Sequence, residues 1–220
     1  MNKALQHHCQ PKEEFGHQVG CVLALDFKLK DGDSFMDSSV YGHLCVNHGS
    51  KWQLDGRYFN GVDDYVEVPR VIQDDWTIEI RVKTEDTRSG AQWYEGEGLV
   101  DGEVSGGAND FGTASLNGKF AFGVGNPDTT IQSTTSINDN VWHHCIATRV
   151  AATGIMKVYI DRILENSKIG PTGTKNSPPR ITIGMLQTNV FHLNGLIDEV
   201  RIYNRALSSA EISAIYNATK

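Results

Sequence analysis

The chain has 220 residues, a formal net charge of -7 at neutral pH and no cluster of basic residues. Its length suits one large domain, since single β-sandwiches commonly reach this size. A phosphate backbone is bound mainly through lysine and arginine side chains, so the charge balance argues against nucleic acid as a partner. The sequence contains no apolar run near the roughly 18 residues of a transmembrane helix, and no membrane span is predicted.

Residues 1–18 are interpreted as a polar N-terminal arm, followed by one domain over residues 19–220. The arm lacks both apolar periodicity and the apolar core of a signal peptide, so the chain is either cytosolic or separated from its signal and neighbouring domains. The four cysteines form no Cys-x-x-Cys pair, which argues against a zinc site and leaves their disulfide state open. They are Cys9, Cys21, Cys45 and Cys145.

Alternation of apolar and polar residues with period two recurs along the domain and predicts β-strands. In residues 19–27 the alternation places Leu23 and Leu25 on one face, and residues 76–82 alternate without interruption. Trp76 and the aliphatic residues that share its face are therefore predicted to lie in the core. We expect about a dozen antiparallel strands.

The stretch from Asn194 to Ile212 predicts a long strand, a turn and one helix. Simple alternation puts Asp198 on the same face as the aliphatic residues of this strand. A carboxylate buried there needs a cation or several hydrogen-bond donors. Ser208 and Glu211 have the spacing of a capping box, which predicts a helix near residues 209–216.

The segment Gly195–Ser208 reads Gly-Leu-Ile-Asp-Glu-Val-Arg-Ile-Tyr-Asn-Arg-Ala-Leu-Ser, and Glu-Ile follows two residues later. It resembles the terminal signature of laminin-G-like, concanavalin-A-like jelly-roll domains of bacterial secreted and carbohydrate-active proteins. Further matches are the Phe59–Val66 step and the Trp142-His143-His144 strand. The resemblance implies an all-β, two-sheet antiparallel jelly-roll sandwich with one short C-terminal helix.

The same resemblance implies a function and a location. Such domains are usually binding modules, often with a structural calcium ion, and are joined covalently to neighbouring domains in secreted or cell-surface proteins. We therefore expect a glycan or polysaccharide as the partner, and an extracellular or cell-surface location.

A glycine-rich segment over residues 90–111 interrupts the strand pattern and contains the candidate ligand-binding residues Trp93, Tyr94, Asn109 and Asp110. An exposed aromatic ring stacks on the apolar face of a sugar, while the Asn and Asp side chains supply directed hydrogen bonds. The segment is therefore interpreted as a sugar-binding edge. The alternative is a glycine-rich hairpin with solvated charges.

Three carboxylates are candidate calcium ligands, because calcium takes six to eight oxygen ligands in proteins. Asp26 ends the first strand, Asp37 lies in the following loop, and Asp198 lies on the last strand. If the first and last strands pair, these side chains could approach one another around a structural calcium ion. The alternative is that Asp198 accepts hydrogen bonds from loop amides and Asp26 faces solvent.

Catalysis has little support in the sequence. The glycosidase pattern Glu-x-Asp-x-x-Glu is absent, and so are Gly-x-Ser-x-Gly and His-Glu-x-x-His. Glu95-Gly96-Glu97 and Asp101-Gly102-Glu103 have a suitable spacing, but the neighbouring glycines are expected to leave them solvated, with no raised pKa. Trp142 is interpreted as a core residue, and His143 and His144 as structural residues that point to opposite faces.

The resulting order of functions is a non-catalytic carbohydrate-binding module first, a protein-adhesion or structural module second, and a polysaccharide-cleaving enzyme third.

Overall fold

The computed structural model describes residues 19–28, 32–106, 108–176, 178–188 and 190–219, so the predicted polar arm, 1–18, lies outside the described residues. Within those ranges the chain forms sixteen β-strands, a single 3-10 turn at Trp93–Glu95 and one helix, α1, at Ser209–Ala218. The strands are β1 Cys21–Asp26, β2 Ser34–Met36, β3 Leu44–His48, β4 Lys51–Gln53, β5 Gly56–Asn60, β6 Tyr65–Pro69, β7 Trp76–Thr84, β8 Glu97–Asp101, β9 Phe111–Leu116, β10 Lys119–Val124, β11 Thr129–Ser136, β12 His143–Val150, β13 Ile155–Ile160, β14 Ile163–Ile169, β15 Arg180–Ile183 and β16 Asn194–Tyr203.

The strands form two antiparallel sheets. Sheet A has the order β14-β13-β12-β7-β16-β5-β4, with β1 also paired to β16, and sheet B has the order β11-β10-β9-β8-β15-β6-β3-β2. This confirms the predicted jelly-roll sandwich, although it has more strands than the dozen expected. The first and last strands are neighbours, because β1 runs antiparallel to β16 with Asp26 opposite Glu199.

The core lies between the inner faces of the two sheets, where period-two alternation directs the apolar residues of each strand. Trp76, Ile78 and Ile80 of β7 are fully buried there, as predicted. Trp76 packs on Phe111 of the opposite sheet with ring centroids 4.7 Å apart. Cys145 is fully buried in the same core.

A β-bulge changes the predicted face of Asp198. The register of β16 against β7 shifts between Ile197 and Glu199, so Ile197 joins Val200 in the core while Asp198 turns outward. Its carboxylate Oδ2 lies 2.8 Å from Arg81 Nη1 and 3.0 Å from Lys28 Nζ. The prediction that Asp198 shares the aliphatic face is therefore wrong, because one extra residue reverses the alternation at this point.

The helix α1 covers part of the outer face of sheet A. Ser208 caps it, and the Ser208 and Glu211 side chains each bond the other's backbone N–H, which confirms the predicted capping box. Ile212 and Ile215 are buried against Ile146 and Tyr203 of the sheet. This contact fixes the helix, because a ten-residue helix has little stability by itself.

Removing the buried side chain of Ile212 tests this docking. Ile212→Ala should lower the free energy of unfolding by about 2–4 kcal/mol, since it leaves a cavity between helix and sheet. Ser213→Ala, one residue along the same helix, should change it by less than about 0.5 kcal/mol. Chemical denaturation measures both values, and equal effects of the two substitutions would contradict the packing described.

Candidate functional site

The predicted stacking residue Trp93 is buried. Its side chain is fully covered, and a β-carbon added at Gly123 of β10 would overlap the indole ring. Glycines at 112 and 123 leave a trough on the outer face of sheet B, and the indole fills it next to Leu116 and Ala121. The prediction that Trp93 stacks on a sugar as an exposed ring is therefore wrong.

Tyr94, by contrast, reaches the surface and is supported by Trp93. The two rings meet edge to face with centroids 4.9 Å apart, and the Tyr94 side chain is half-buried. Its hydroxyl donates to Oδ2 of the exposed Asp128 at 3.3 Å. Desolvation and the negative charge of Asp128 raise the pKa of Tyr94, so the hydroxyl keeps its proton near neutral pH. The ring therefore has a fixed orientation beside the turn between β10 and β11.

Asn109 and Asp110 lie at the same end of the sheet but face different surroundings. Asn109 is exposed, and its Oδ1 accepts hydrogen bonds from Asn126 Nδ2 at 3.3 Å and from Lys175 Nζ at 3.4 Å. Asp110 is buried beside Gly125, and its Oδ2 accepts the Val104 amide at 2.9 Å. Asn109 can thus meet a ligand, whereas Asp110 organises the loop.

One surface joins the accessible members of this group. The contacts Tyr94–Asp128 and Asn126–Asn109 meet at the turn after β10, because Asn126 and Asp128 flank Pro127. We call this surface the Tyr94 rim; its residues are Tyr94, Asn109, Asn126 and Asp128.

A buried carboxyl cluster lies below the Trp93 indole, where the sequence predicted solvated charges. Asp101 is fully buried; its Oδ1 accepts the amides of Gln187 at 3.0 Å and Glu103 at 2.9 Å. Among the described residues its Oδ2 and the Trp93 Nε1 have no hydrogen-bond partner. Both atoms lie next to Gly112, because a β-carbon added there would overlap Asp101 Oδ2 and lie 2.9 Å from Trp93 Nε1.

Burial raises the pKa of two carboxyls on β8, Asp101 and Glu97. Desolvation raises the pKa of Asp101 to about 8, despite the two amide donors. Desolvation, together with the charge of Asp86, raises the pKa of Glu97 to about 7. The expectation that the glycines leave these carboxyls solvated is therefore wrong. Glycine instead lets other groups approach, and a β-carbon at Gly98 would overlap the backbone of Met185.

Carboxyls with raised pKa values can act as general acids, but these two are closed to a substrate. Asp101 has 0% exposure and Glu97 8%, and Arg88 Nε covers Glu97 Oε1 at 3.3 Å. The Trp93 indole occupies the trough beside Asp101. Both carboxyls therefore have a pKa suited to a general acid, but a substrate cannot reach them.

The three predicted calcium ligands do not converge, although their strands pair as expected. Asp26 is exposed and accepts the Lys28 amide at 3.1 Å. Asp37 is buried and accepts the amides of Ala24, Ser39 and His43. Asp26 and Asp37 therefore accept hydrogen bonds from backbone amides, and Asp198 is paired with two cationic side chains.

Among the residues that the structure describes, no group of three or more His, Cys, Asp or Glu side chains is arranged to hold a metal ion. The residues present at Asp198 do not fit calcium, because Arg81 and Lys28 already neutralise its carboxylate. The calcium ion stays a prediction that rests on the family resemblance alone.

The adjacent histidines have separate partners. His143 lies between Asp139 and Asp161, with ring nitrogens 3.2 Å from each carboxylate. Hydrogen bonding to Asp161, partly offset by desolvation, raises the pKa of His143. His144 Nε2 instead lies 2.9 Å from Oε1 of the buried Glu79. The two rings therefore do not share a site.

A family comparison agrees with this architecture. Residues 60–213 match the family model described as the concanavalin A-like lectin/glucanases superfamily. The chain belongs to this superfamily. Comparison with curated protein sequences gave no match.

Solved structures share the fold at low sequence identity. The receptor binding domain of botulinum neurotoxin C/D mosaic serotype superposes with a TM-score of 0.72 at 14% identity, over 91% of this chain and 52% of that one. The binding domain of botulinum neurotoxin DC in complex with rat synaptotagmin II gives 0.69 at 16%, over 92% and 52%. The binding domain of Paraclostridial Mosquitocidal Protein 1 gives 0.70 at 17%, over 92% and 53%.

The chain thus spans about half the length of these structures. In the part of the chain that the structure describes, α1 is too short to cross a membrane, and no other helix is long and apolar enough.

Replacing Gly123 tests the burial of Trp93. Gly123→Ala places a methyl group where the indole lies, so the free energy of unfolding should fall by about 1–3 kcal/mol and Trp93 should become more accessible. Gly32→Ala, at a position with open space around it, is the matched control. Denaturation and acrylamide quenching of tryptophan fluorescence measure the two effects. Unchanged stability and quenching in Gly123→Ala would contradict the burial.

The pH dependence of stability tests the buried state of Asp101. The folded protein keeps this proton up to a pH of about 8, whereas an ordinary aspartic acid loses it near 3.8. Because the folded state binds the proton more tightly, this residue lowers the free energy of unfolding as pH rises between these values, by at most about 1.4 kcal/mol per pH unit.

Asp101→Asn should therefore flatten the fall in stability between pH 5 and pH 8, measured by urea denaturation across that range. Asp55→Asn, in an exposed turn, should keep the wild-type profile. If Asp101→Asn keeps the wild-type slope, the carboxyl ionises normally in the folded protein.

Proposed function

We propose that the chain is a non-catalytic carbohydrate-binding module and that a glycan binds at the Tyr94 rim. The observation that carries this proposal is the half-exposed Tyr94 ring, which Trp93 holds from below beside an exposed carboxylate and two exposed amides. An aromatic ring takes the apolar face of a sugar, and amide and carboxylate groups bond its hydroxyls.

The support under the rim favours binding, because a ring that is already fixed loses little conformational entropy when a ligand arrives. Trp93 fills the trough in sheet B, and the Tyr94 hydroxyl is anchored to Asp128. The rim itself is shallow and carries a single aromatic ring. Glycan binding should therefore be selective but weak.

The non-catalytic part of the proposal rests on access. Glu97 and Asp101 have raised pKa values, but Arg88 covers Glu97, and Asp101 is fully buried beside Trp93. The similar solved structures are named as binding domains, which favours a binding role. An extracellular or cell-surface location, with covalently linked neighbouring domains, has the same support together with the family resemblance.

A protein-adhesion module is the second candidate, and one surface favours it. The segment from Met36 to Leu44 exposes four large apolar side chains. They are Met36, Val40, Tyr41 and Leu44, with exposed fractions between 52% and 93%. One similar solved structure is a complex with rat synaptotagmin II. Several exposed apolar side chains in one short segment favour a protein contact.

A panel of immobilised polysaccharides, read with the wild-type chain and three variants, tests the proposal. Tyr94→Ala should weaken binding about fivefold or more, because one stacked aromatic pair contributes about 1 kcal/mol beyond its buried area. Tyr94→Phe keeps the ring and should retain most of the binding. Tyr41→Ala removes an exposed tyrosine from the apolar segment and should leave glycan binding unchanged.

Two results would contradict the proposal. One is the absence of binding to any glycan on the panel, and the other is equal binding by Tyr94→Ala and the wild type. If the Tyr41 substitution abolished capture of a protein partner while the panel stayed negative, the adhesion function would be favoured. Release of reducing sugar from any polysaccharide would contradict the non-catalytic part.

A further inference from the structure

A cleft lies on the outer face of sheet A, at the C-terminal end of α1, away from the Tyr94 rim on sheet B. It has a volume of about 120 Å³ and lies between the helix end and strands β7 and β12. Six residues line it: Arg81, Trp142, His144, Asp161, Tyr216 and Thr219. Trp142, interpreted from the sequence as a core residue, is half-buried and forms one wall.

His144 brings a buried polar atom to the cleft. Its side chain is 4% exposed, and Nε2 is held by Glu79 Oε1 at 2.9 Å. The other ring nitrogen, Nδ1, is buried and has no hydrogen-bond partner within the described ranges. A buried polar atom without a partner is costly, so a group that bonds Nδ1 from within the cleft is favoured.

Glu79 decides which hydrogen bond Nδ1 can make. Desolvation by itself raises the carboxyl pKa, but the hydrogen bond and charge of His144 and the charge of Arg201 outweigh it and hold the pKa of Glu79 below its usual range. The carboxylate is thus ionised and accepts the Nε2 proton of His144. The remaining ring nitrogen, Nδ1, can bond a ligand hydroxyl, which both donates and accepts hydrogen bonds.

The charges around the cleft cancel. Asp198 Oδ2 lies 2.8 Å from Arg81 Nη1, and the buried Glu79 has both His144 and Arg201 beside it. The remaining wall carboxylate, Asp161, lies 3.2 Å from His143 Nδ1 and accepts the His144 amide at 3.1 Å. The guanidinium of Arg162 lies 5.5 Å from the centre of the Tyr216 ring. Neither a free anion nor a free cation therefore gains a clear electrostatic advantage.

The walls of the cleft also combine aromatic rings with hydrogen-bond donors and acceptors. Arg81 lies 5.3 Å from the centre of the Trp142 ring, and the Tyr216 and His144 rings are 5.8 Å apart. Arg81 can donate hydrogen bonds, and Asp161 can accept them. The cleft is smaller than the roughly 300–1,000 Å³ pockets of drug-sized ligands, so it suits one small ring.

We propose that this cleft is a second binding site, and that it takes a single neutral sugar residue with one face on Trp142 and a hydroxyl hydrogen-bonded to His144 Nδ1. The site lies on sheet A, so it does not depend on the Tyr94 rim of sheet B. A module with both sites would hold a branched or long glycan at two points. Two such contacts raise the avidity beyond that of either site.

The test is a titration of the ¹⁵N-labelled chain with methyl glycosides of neutral hexoses, followed through the tryptophan indole N–H signals. Trp142→Phe identifies the Trp142 signal by its loss. The neutral glycosides should shift this signal in a saturable way, whereas acetate and tetramethylammonium at the same concentrations should not. Tyr94→Ala should leave the shift intact, which separates this site from the rim.

A calorimetric titration with the same glycosides then compares the wild type with Trp142→Ala, Trp142→Phe and Trp52→Ala. The alanine variant should bind at least tenfold more weakly, and the phenylalanine variant should recover part of the loss because it keeps a flat ring. Trp52→Ala removes an exposed indole elsewhere and should bind like the wild type. A melting curve establishes that each variant is folded.

The proposal would be overturned by any of the following results. The glycosides could leave the Trp142 signal unshifted, acetate or tetramethylammonium could shift it equally, or folded Trp142→Ala could bind like the wild type. If Trp142→Ala does not fold, the wild-type titration and the Trp142→Phe comparison still decide the question. Loss of the shift in Tyr94→Ala would also overturn the site, since the two surfaces would then be one.

Discussion

The buried carboxylate of Glu79 joins the three central strands of sheet A. It lies on β7 and receives hydrogen bonds from His144 on β12 and from Arg201 and the Tyr203 hydroxyl on β16. A buried charge is tolerated only when it is paired and hydrogen-bonded, and removal of one partner typically costs about 3–5 kcal/mol. This requirement fixes the His144 ring, which lines the cleft beside α1.

Sheet B follows the same principle with an aromatic residue in place of the carboxylate. Trp93 is held in a trough that the glycines leave open, and its edge fixes the Tyr94 ring at the surface. In both sheets a buried residue with defined contacts orients a residue of the candidate site: Glu79 orients His144, and Trp93 orients Tyr94. Surfaces supported in this way are pre-organised, which lets a shallow site bind a ligand with small loss of entropy.

Local patterns were enough to predict the sandwich and the helix, because alternation and a capping box act over a few residues. The errors came from contacts between segments distant in sequence. The bulge that turns Asp198 outward depends on pairing between β16 and β7. The burial of Trp93 depends on Gly112 and Gly123 of two other strands. These glycines let side chains pack closely against the sheet, whereas the sequence had suggested exposed turns. Trp142 alternates like a core residue, yet it lines a cleft that only the docked helix creates.

The tautomer of His144 tests most directly whether the Glu79 network orients the sheet A site. Long-range ¹H–¹⁵N spectra distinguish a protonated ring nitrogen from one that carries a lone pair. With Glu79 ionised, Nε2 of His144 is expected to carry a proton near neutral pH, and Glu79→Gln should disturb that arrangement. A proton on Nδ1 and a lone pair on Nε2 in the wild type would contradict it, because Glu79 would then have no donor from His144.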